Sequence, residues 1–389
     1  MNAHDTAGLR PHGYFRSSAA AARPRRSHYD ALPGPGAPTV QPAVAHPRLT
    51  QRTDPEKTDP MPSPSLPKRA WLGAIACAAL TLAAAPAFAQ PPAWPTKPVR
   101  LLIGFPGGSS PDAAARAIAE PLSRALGQPV IVESKVGASG NIATDLIAKA
   151  TDDHTLGIVI NGNLTSAKML FPRLPYDPAT DFTYLTLVGT APLILVGRPD
   201  APGGKAFFDA ARAAGDKWNY GSVGTGSVAH LGMELLKAQV PGMTAVHVPY
   251  QGNPAVVNAM LGQQVEMALI PPGVALPHIK AGKLKAIGVT GGRSTLAPDV
   301  PPLADAGVKD FRLEVWTALV GPATLSQAAQ ARLAQVLPGI LQNPETRHQL
   351  FNQGWSAPAT ASAQALQARV KEESAIMHNI IASRNIRIE

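Results

Sequence analysis

The sequence predicts an α/β fold of open sheets with helices on their faces. Two observations carry this. Short apolar runs of strand length alternate with segments whose apolar residues recur at helical spacing. Small turns rich in Gly, Ser and Asn lie at the carboxyl ends of successive strands, where open α/β sheets place their ligands. The chain has 389 residues, enough for two domains of ordinary size.

The organising stretch is Val99 to Gln128. Val99-Arg100-Leu101-Leu102-Ile103 reads as a strand, and Gly104 to Asp112 as a glycine-rich turn. Ala113, Ala117, Ile118, Leu122 and Leu126 then follow at helical spacing. Such a turn gathers unpaired N–H groups and the positive end of a helix dipole, which suits a carboxylate or phosphate. Gly107 and Gly108 supply backbone, Ser109 and Ser110 hydroxyls, and Pro111 the first helical turn, with Asp112 following. A bulky side chain at Gly108 is expected to abolish binding if that N–H meets the ligand.

The pattern repeats. Pro129 to Glu133 is a strand that feeds Gly137-Ala138-Ser139-Gly140-Asn141 and a helix through Ala150. Thr155 to Ile160 ends at Asn161-Gly162-Asn163-Leu164-Thr165. Further on, Asn219 to Ser222 opens Val223-Gly224-Thr225-Gly226-Ser227, with His230 one helical step beyond; Val246 to Tyr250 opens Gln251-Gly252-Asn253-Pro254. Val265–Ile270, Leu284–Thr290 and Glu314–Gly321 are strand-like, and the tail from Ser326 is helical.

Residues 1–60 are rich in Pro, Arg and Ala without hydrophobic periodicity, and read as a disordered leader or a mis-assigned start. Met61 opens a secretory signal: Lys68-Arg69, an apolar core over 70–85, Pro86, and Ala87-Phe88-Ala89 as an A-x-A cleavage site. The core is shorter than the ~18 residues of a spanning helix. The mature chain is therefore expected to begin at Gln90, in the periplasm. Cys77, the only cysteine, lies inside that core.

The net charge is +9, with ten Lys/Arg against five Asp/Glu before Gln90 and 25 against 21 after it. This small surplus lacks the clustering of a nucleic-acid footprint. The mature chain has no thiol, no H-E-x-x-H, no G-x-S-x-G and no P-loop, so no metal and no cofactor is expected. Gly224 to Ala229 formally matches G-x-G-x-x-A, but the following strand, Val246 to Tyr250, ends without the acidic residue that a ribose needs. A nucleotide-dependent oxidoreductase is the enzymatic alternative.

Several motifs, in order, resemble the extracytoplasmic solute receptors of the tripartite tricarboxylate transporter type, often called Bug receptors. They include Phe105-Pro106-Gly107-Gly108, Leu126-Gly127-Gln128-Pro129-Val130, Gly137-Ala138-Ser139-Gly140-Asn141-Ile142 and Tyr176-Asp177-Pro178. Asn219-Tyr220-Gly221-Ser222, His247 to Gly252 and Leu276 to Leu284 complete them, so the resemblance runs from Trp94 to the C-terminus. It implies a two-lobed periplasmic-binding-protein fold of type II, each lobe a sheet flanked by helices, joined by two crossing strands near Ala191–Val196 and Ala318–Gly321. Lobe one would be 94–192 plus 322–389, and lobe two 193–321.

The resemblance further implies a non-enzymatic, monomeric receptor that takes a small carboxylate between its lobes for the membrane subunits of a secondary transporter. A sensor of the same fold feeding a membrane signalling partner is the other reading. Lobe one would contribute Gly107, Gly108, Ser109, Ser110, Asp112, Ser139, Gly140, Asn141, Asn161, Asn163 and Thr165. Lobe two would contribute Ser222, Gly224, Thr225, Gly226, Ser227, His230, Tyr250 and Gly252. Two departures stand out: Ser109 and Ser110 replace the family's Gly and Thr, and Ile270-Pro271-Pro272-Gly273 replaces a polar stretch that often holds Asp. The second favours a carboxylate with a neutral or apolar body over an amino acid.

Overall fold

The computed structural model describes residues 94–387; the expected leader, signal segment and cleavage site lie outside them. The first lobe opens with β1 (Val99–Ile103), α1 (Ser110–Leu126), β2 (Val130–Ser134), α2 (Asn141–Ala148) and β3 (Thr155–Ile160). Two single-turn helices follow, α3 (Asn161–Leu164) and α4 (Ala167–Leu170), and then the long β4 (Phe182–Pro192). The second lobe comprises β5 (Ile194–Gly197), α5 (Lys205–Ala214), β6 (Asn219–Ser222), α6 (Val228–Gln239), β7 (Val246–Pro249), α7 (Asn253–Leu261), β8 (Met267–Ile270), α8 (Pro272–Lys280) and β9 (Lys285–Val289). The chain returns through β10 (Glu314–Pro322) and ends in α9 (Gln327–Gln342), α10 (Pro344–Asn352) and α11 (Ala363–Arg384).

The two five-stranded sheets share one plan. Their orders are β2-β1-β3-β10-β4 and β7-β6-β8-β5-β9. In each, the βαβ strands run parallel and one strand runs antiparallel to both neighbours: β10 in the first, β5 in the second. That antiparallel strand is the one delivered from the other lobe.

The first changeover falls at Leu193, between β4 and β5. The second falls earlier than Ala318–Gly321, the position inferred from the sequence. β10 pairs with β4 from Glu314 to Pro322 and also with β3, so all of it belongs to the first sheet. The return crossing therefore lies between β9 and β10. An apolar run buried on both faces reads the same whether it crosses between sheets or sits inside one. The two crossings are tied at Thr290, whose hydroxyl accepts from Leu193 N (2.9 Å) and donates to Leu313 O (2.6 Å).

The C-terminal helix is shared as well. Leu366 and Val370 of α11 enter the core beneath β4 and β10, with Trp316 and Val320. Met377 and Ile380, two to three turns on, enter the second lobe's core with Leu231 and Leu236 of α6. The tail expected to belong to lobe one thus braces both lobes.

The lobes are closed on one another. Asn253 Nδ2 donates to Ser110 Oγ (2.9 Å), and Ser166 Oγ donates to Gly226 O (2.7 Å). Backbone meets backbone where α8 begins: a Cβ on Gly273 would stand 2.0 Å from Gln353 O.

Candidate functional site

Between the lobes lies a cavity of about 30 Å³, room for one or two waters. Phe105, Ser109, Ser110, Pro111, Ile160 and Asn161 line it from the first lobe, with Val315 and Trp355. Leu193 at the crossing, Val223, Ser227, Val228, Ala229, Asn253, Leu269 and Pro271 complete the wall. No charged side chain lines it. Both the α1 and α6 N-termini end at this cavity, one from each lobe.

The two helix starts differ in a telling way. Ser227, the N-cap of α6, accepts a bond from His230 N (3.2 Å), as a capping serine ordinarily does. Ser109, the N-cap of α1, makes no capping bond. Its Oγ is buried without a partner, on a residue only 1% exposed. In the first turn of α1, Pro111 has no N–H, while those of Ser110 and Asp112 have no intrahelical acceptor. A second unpartnered atom, Asn161 Oδ1, belongs to the same wall. Leaving such groups buried and unpaired costs about 1–3 kcal/mol each, so the cavity is built for a polar occupant.

Other residues of the expected set serve the frame. Gly107 and Gly108 are exposed, and Gly108 N donates to Asp112 Oδ2 (3.0 Å), much as a capping box closes a helix start. In this closed state the Gly108 N–H is taken by Asp112, and Gly108 does not line the cavity. Asp112 is buried and also accepts from Arg116 (2.9 Å); it secures α1 and does not line the cavity. Asn163 is saturated: its Oδ1 accepts from Ile160 N, and its Nδ2 donates to Ser139 O and Asn141 Oδ1. Asn141 Oδ1 accepts from Tyr176 Oη as well (2.7 Å), which makes this pair a strut. Thr165 Oγ1 donates within its own helical turn to Asn161 O.

In the second lobe, Ser222 Oγ bonds Gly224 and lies 2.7 Å from His247 Nε2. His230 Nδ1 accepts from Gly226 N (3.1 Å), and its ring stacks on His247 with centroids 4.0 Å apart. Burial pushes His230 down to about 4 and His247, with His230 beside it, down to about 3. Both imidazoles are neutral supports behind the Gly224–Ser227 turn. Ser139, Gly140, Gly224, Thr225 and Tyr250 line an outer cavity of about 270 Å³, which shares Phe105 and Val223 with the inner one. There a Cβ on Gly224 would meet Ser139 Oγ at 2.2 Å. Gly252, at φ +98°, packs against Pro106 of the other lobe.

Sequence reasoning missed Asn253 and the apolar wall. Asn253 follows Gly252 directly, and its small polar character was a signal. Trp355 gave none: its Nε1 donates to Ser110 O across 245 residues (3.1 Å).

Two sheets joined by crossing strands around a polar-ended cleft define a two-lobed solute-binding protein of the periplasmic type. The model of the tripartite tricarboxylate transporter family receptor matches residues 114–386, and the chain belongs to that family, which is one of receptors and not of enzymes. It is similar to the periplasmic binding protein BugD (26% identity, TM-score 0.71, covering 76% of this chain and all of that one). It is also similar to MatC of Rhodopseudomonas palustris with bound malate (28%, 0.70, 74% and 100%). A third solved structure, an R. palustris protein with adipate, matches at 27% with a TM-score of 0.72 over 76% of this chain and 99% of that one. No helix among the described residues is long and apolar enough to cross a membrane.

Proposed function

We propose that this receptor captures a small carboxylate between its lobes in the periplasm, after cleavage following Ala89, and presents it to the membrane subunits of a secondary transporter. The observation that carries the binding reading is the uncapped start of α1: a free Ser109 hydroxyl at a buried cavity without charged side chains, beside first-turn N–H groups that have no intrahelical acceptor. Dipoles aimed at a desolvated anion bind it without a formal counter-charge. The malate- and adipate-bound relatives support the ligand class. Ligand entry requires the lobes to part, since the closed cavity has room for only one or two waters; hinge closure onto the solute then sequesters it, with the lobes slightly further apart than here. Absence of a carboxylate side chain on the wall disfavours a ligand ammonium.

Calorimetry of the mature chain against C3 to C6 mono- and dicarboxylates tests this. At least one should bind, and Ser109→Ala should weaken it about 10-fold or more, the loss of one hydrogen bond to a charged group. Folded protein that takes up none of them contradicts the reading.

A further inference from the structure

Asn161 is fully buried (0% exposed) where β3 runs into α3. Its Nδ2 donates to Glu314 O (3.2 Å) and to Glu373 Oε1 (2.7 Å). A backbone carbonyl can only accept, so Glu314 O fixes which end of the amide faces β10. The oxygen is then the polar atom that Asn161 has left for the cavity, and it has no partner.

Glu373 is itself held in place. Trp316 Nε1 donates to its Oε2 at 2.5 Å, and Arg369 Nε lies 3.5 Å from the same oxygen. It stands on α11 between Val370, in the first lobe's core, and Met377, in the second's. It is 5% exposed. Trp316 and Asn161 together occupy both carboxylate oxygens as acceptors, so the amide cannot turn without stranding a donor.

The cavity therefore presents opposite polarities at two points. The start of α1 offers donors, which want an anion. Asn161 offers an acceptor, which wants a donor. The rest of the wall is mostly apolar, and its other polar side chains, Ser110, Ser227 and Asn253, are hydrogen-bonded within the protein. Resting on the carboxylate reading above, we infer that the physiological ligand is a hydroxy-carboxylate, its carboxylate at Ser109 and the first turn of α1 and its hydroxyl donating to Asn161 Oδ1. Glu373 is the positioning residue that sets this preference. An unhydroxylated acid of the same length leaves the Asn161 carbonyl buried and unpaired. Sites built to bond a substrate hydroxyl reject analogues that lack it for this reason.

Calorimetry with matched pairs (propionate and lactate, butyrate and 3-hydroxybutyrate, succinate and malate) tests the inference. In at least one pair the hydroxylated member should bind about 10-fold tighter or more. Asn161→Ala should bring that ratio close to one, with the unhydroxylated acid binding more tightly than to wild type because no carbonyl is left stranded. Glu373→Gln offers one acceptor where two donors point, so it should shrink the same ratio, with the thermal midpoint and the affinity for the unhydroxylated acid near wild type. Wild-type ratios near one, with both members binding, overturn the inference and leave the carboxylate reading standing. An absence of heat from every acid overturns that reading instead. A ratio unchanged in Glu373→Gln removes the positioning role. Should Asn161→Ala fail to fold, the wild-type ratios decide alone.

Discussion

Replacing Gly273 by alanine is expected to cost ligand affinity about 100-fold or more while each lobe stays folded. The added Cβ would stand 2.0 Å from Gln353 O and 2.6 Å from its carbonyl carbon. Both atoms are backbone, so no side chain can rotate away. Overpacking of even yielding neighbours costs about 1–3 kcal/mol, and the upper figure corresponds to about 100-fold in affinity. Gly273 opens α8 in the second lobe, whereas Gln353 and Gly354 follow α10 in the first. The clash therefore opposes closure and touches neither core. Its backbone is not among the left-handed positions, so alanine there adds no conformational strain. Calorimetry would show the lost affinity, and small-angle scattering would show a larger radius of gyration that ligand no longer reduces. Wild-type affinity in this variant would mean that the ligand-bound lobes keep Gly273 and Gln353 apart.

Acid is expected to begin destabilising the fold at about pH 6.5, above the range where carboxylates titrate. His230 and His247 sit stacked, with Tyr220, Glu234 and Lys237 around them. Burial holds both imidazoles below the ordinary value of about 6.5. The unfolded chain thus takes up protons first as the pH falls. Their contribution is fully present above about pH 6.5 and is lost progressively toward the folded values of about 4 and 3. For His230 alone the loss is on the order of 3 kcal/mol. Protonating its Nδ1 also breaks the bond from Gly226 N, and Gly226 O is the acceptor of the cross-lobe bond from Ser166. Urea midpoints measured from pH 7.5 to 4.5 should fall steeply, and His230→Gln with His247→Gln should flatten the slope. Equal slopes in wild type and variant would place the titrating groups elsewhere.

Much of the frame was legible because its signals are local. The strand, turn and helix over 99–126 follow from apolar spacing and from Pro111, and the turns at β3 and β6 from the same pattern. The second crossing was not, because the run Glu314–Gly321 carries no mark of which sheet it joins. The candidate site divides in the same way. Ser109 lies at the cavity as its position in the turn suggests. Gly108 does not, because Asp112 four residues on takes its N–H. Asn161 and Asn163 look equivalent in sequence, two residues apart. Their roles separate through distant partners: Asn141 and Ser139 saturate Asn163, whereas Glu314 and Glu373 bind only the nitrogen of Asn161. Which end of an amide faces a cavity is decided by groups 153 and 212 residues away, and no local pattern encodes that.

A crystal structure of the mature chain with the tightest-binding carboxylate is the most direct measurement. It should show a carboxylate oxygen within hydrogen-bond distance of Ser109 Oγ and of a first-turn N–H of α1, with no Lys or Arg side chain on the anion. A carboxylate paired to a basic side chain, or seated outside the cavity between the two sheets, would contradict the account.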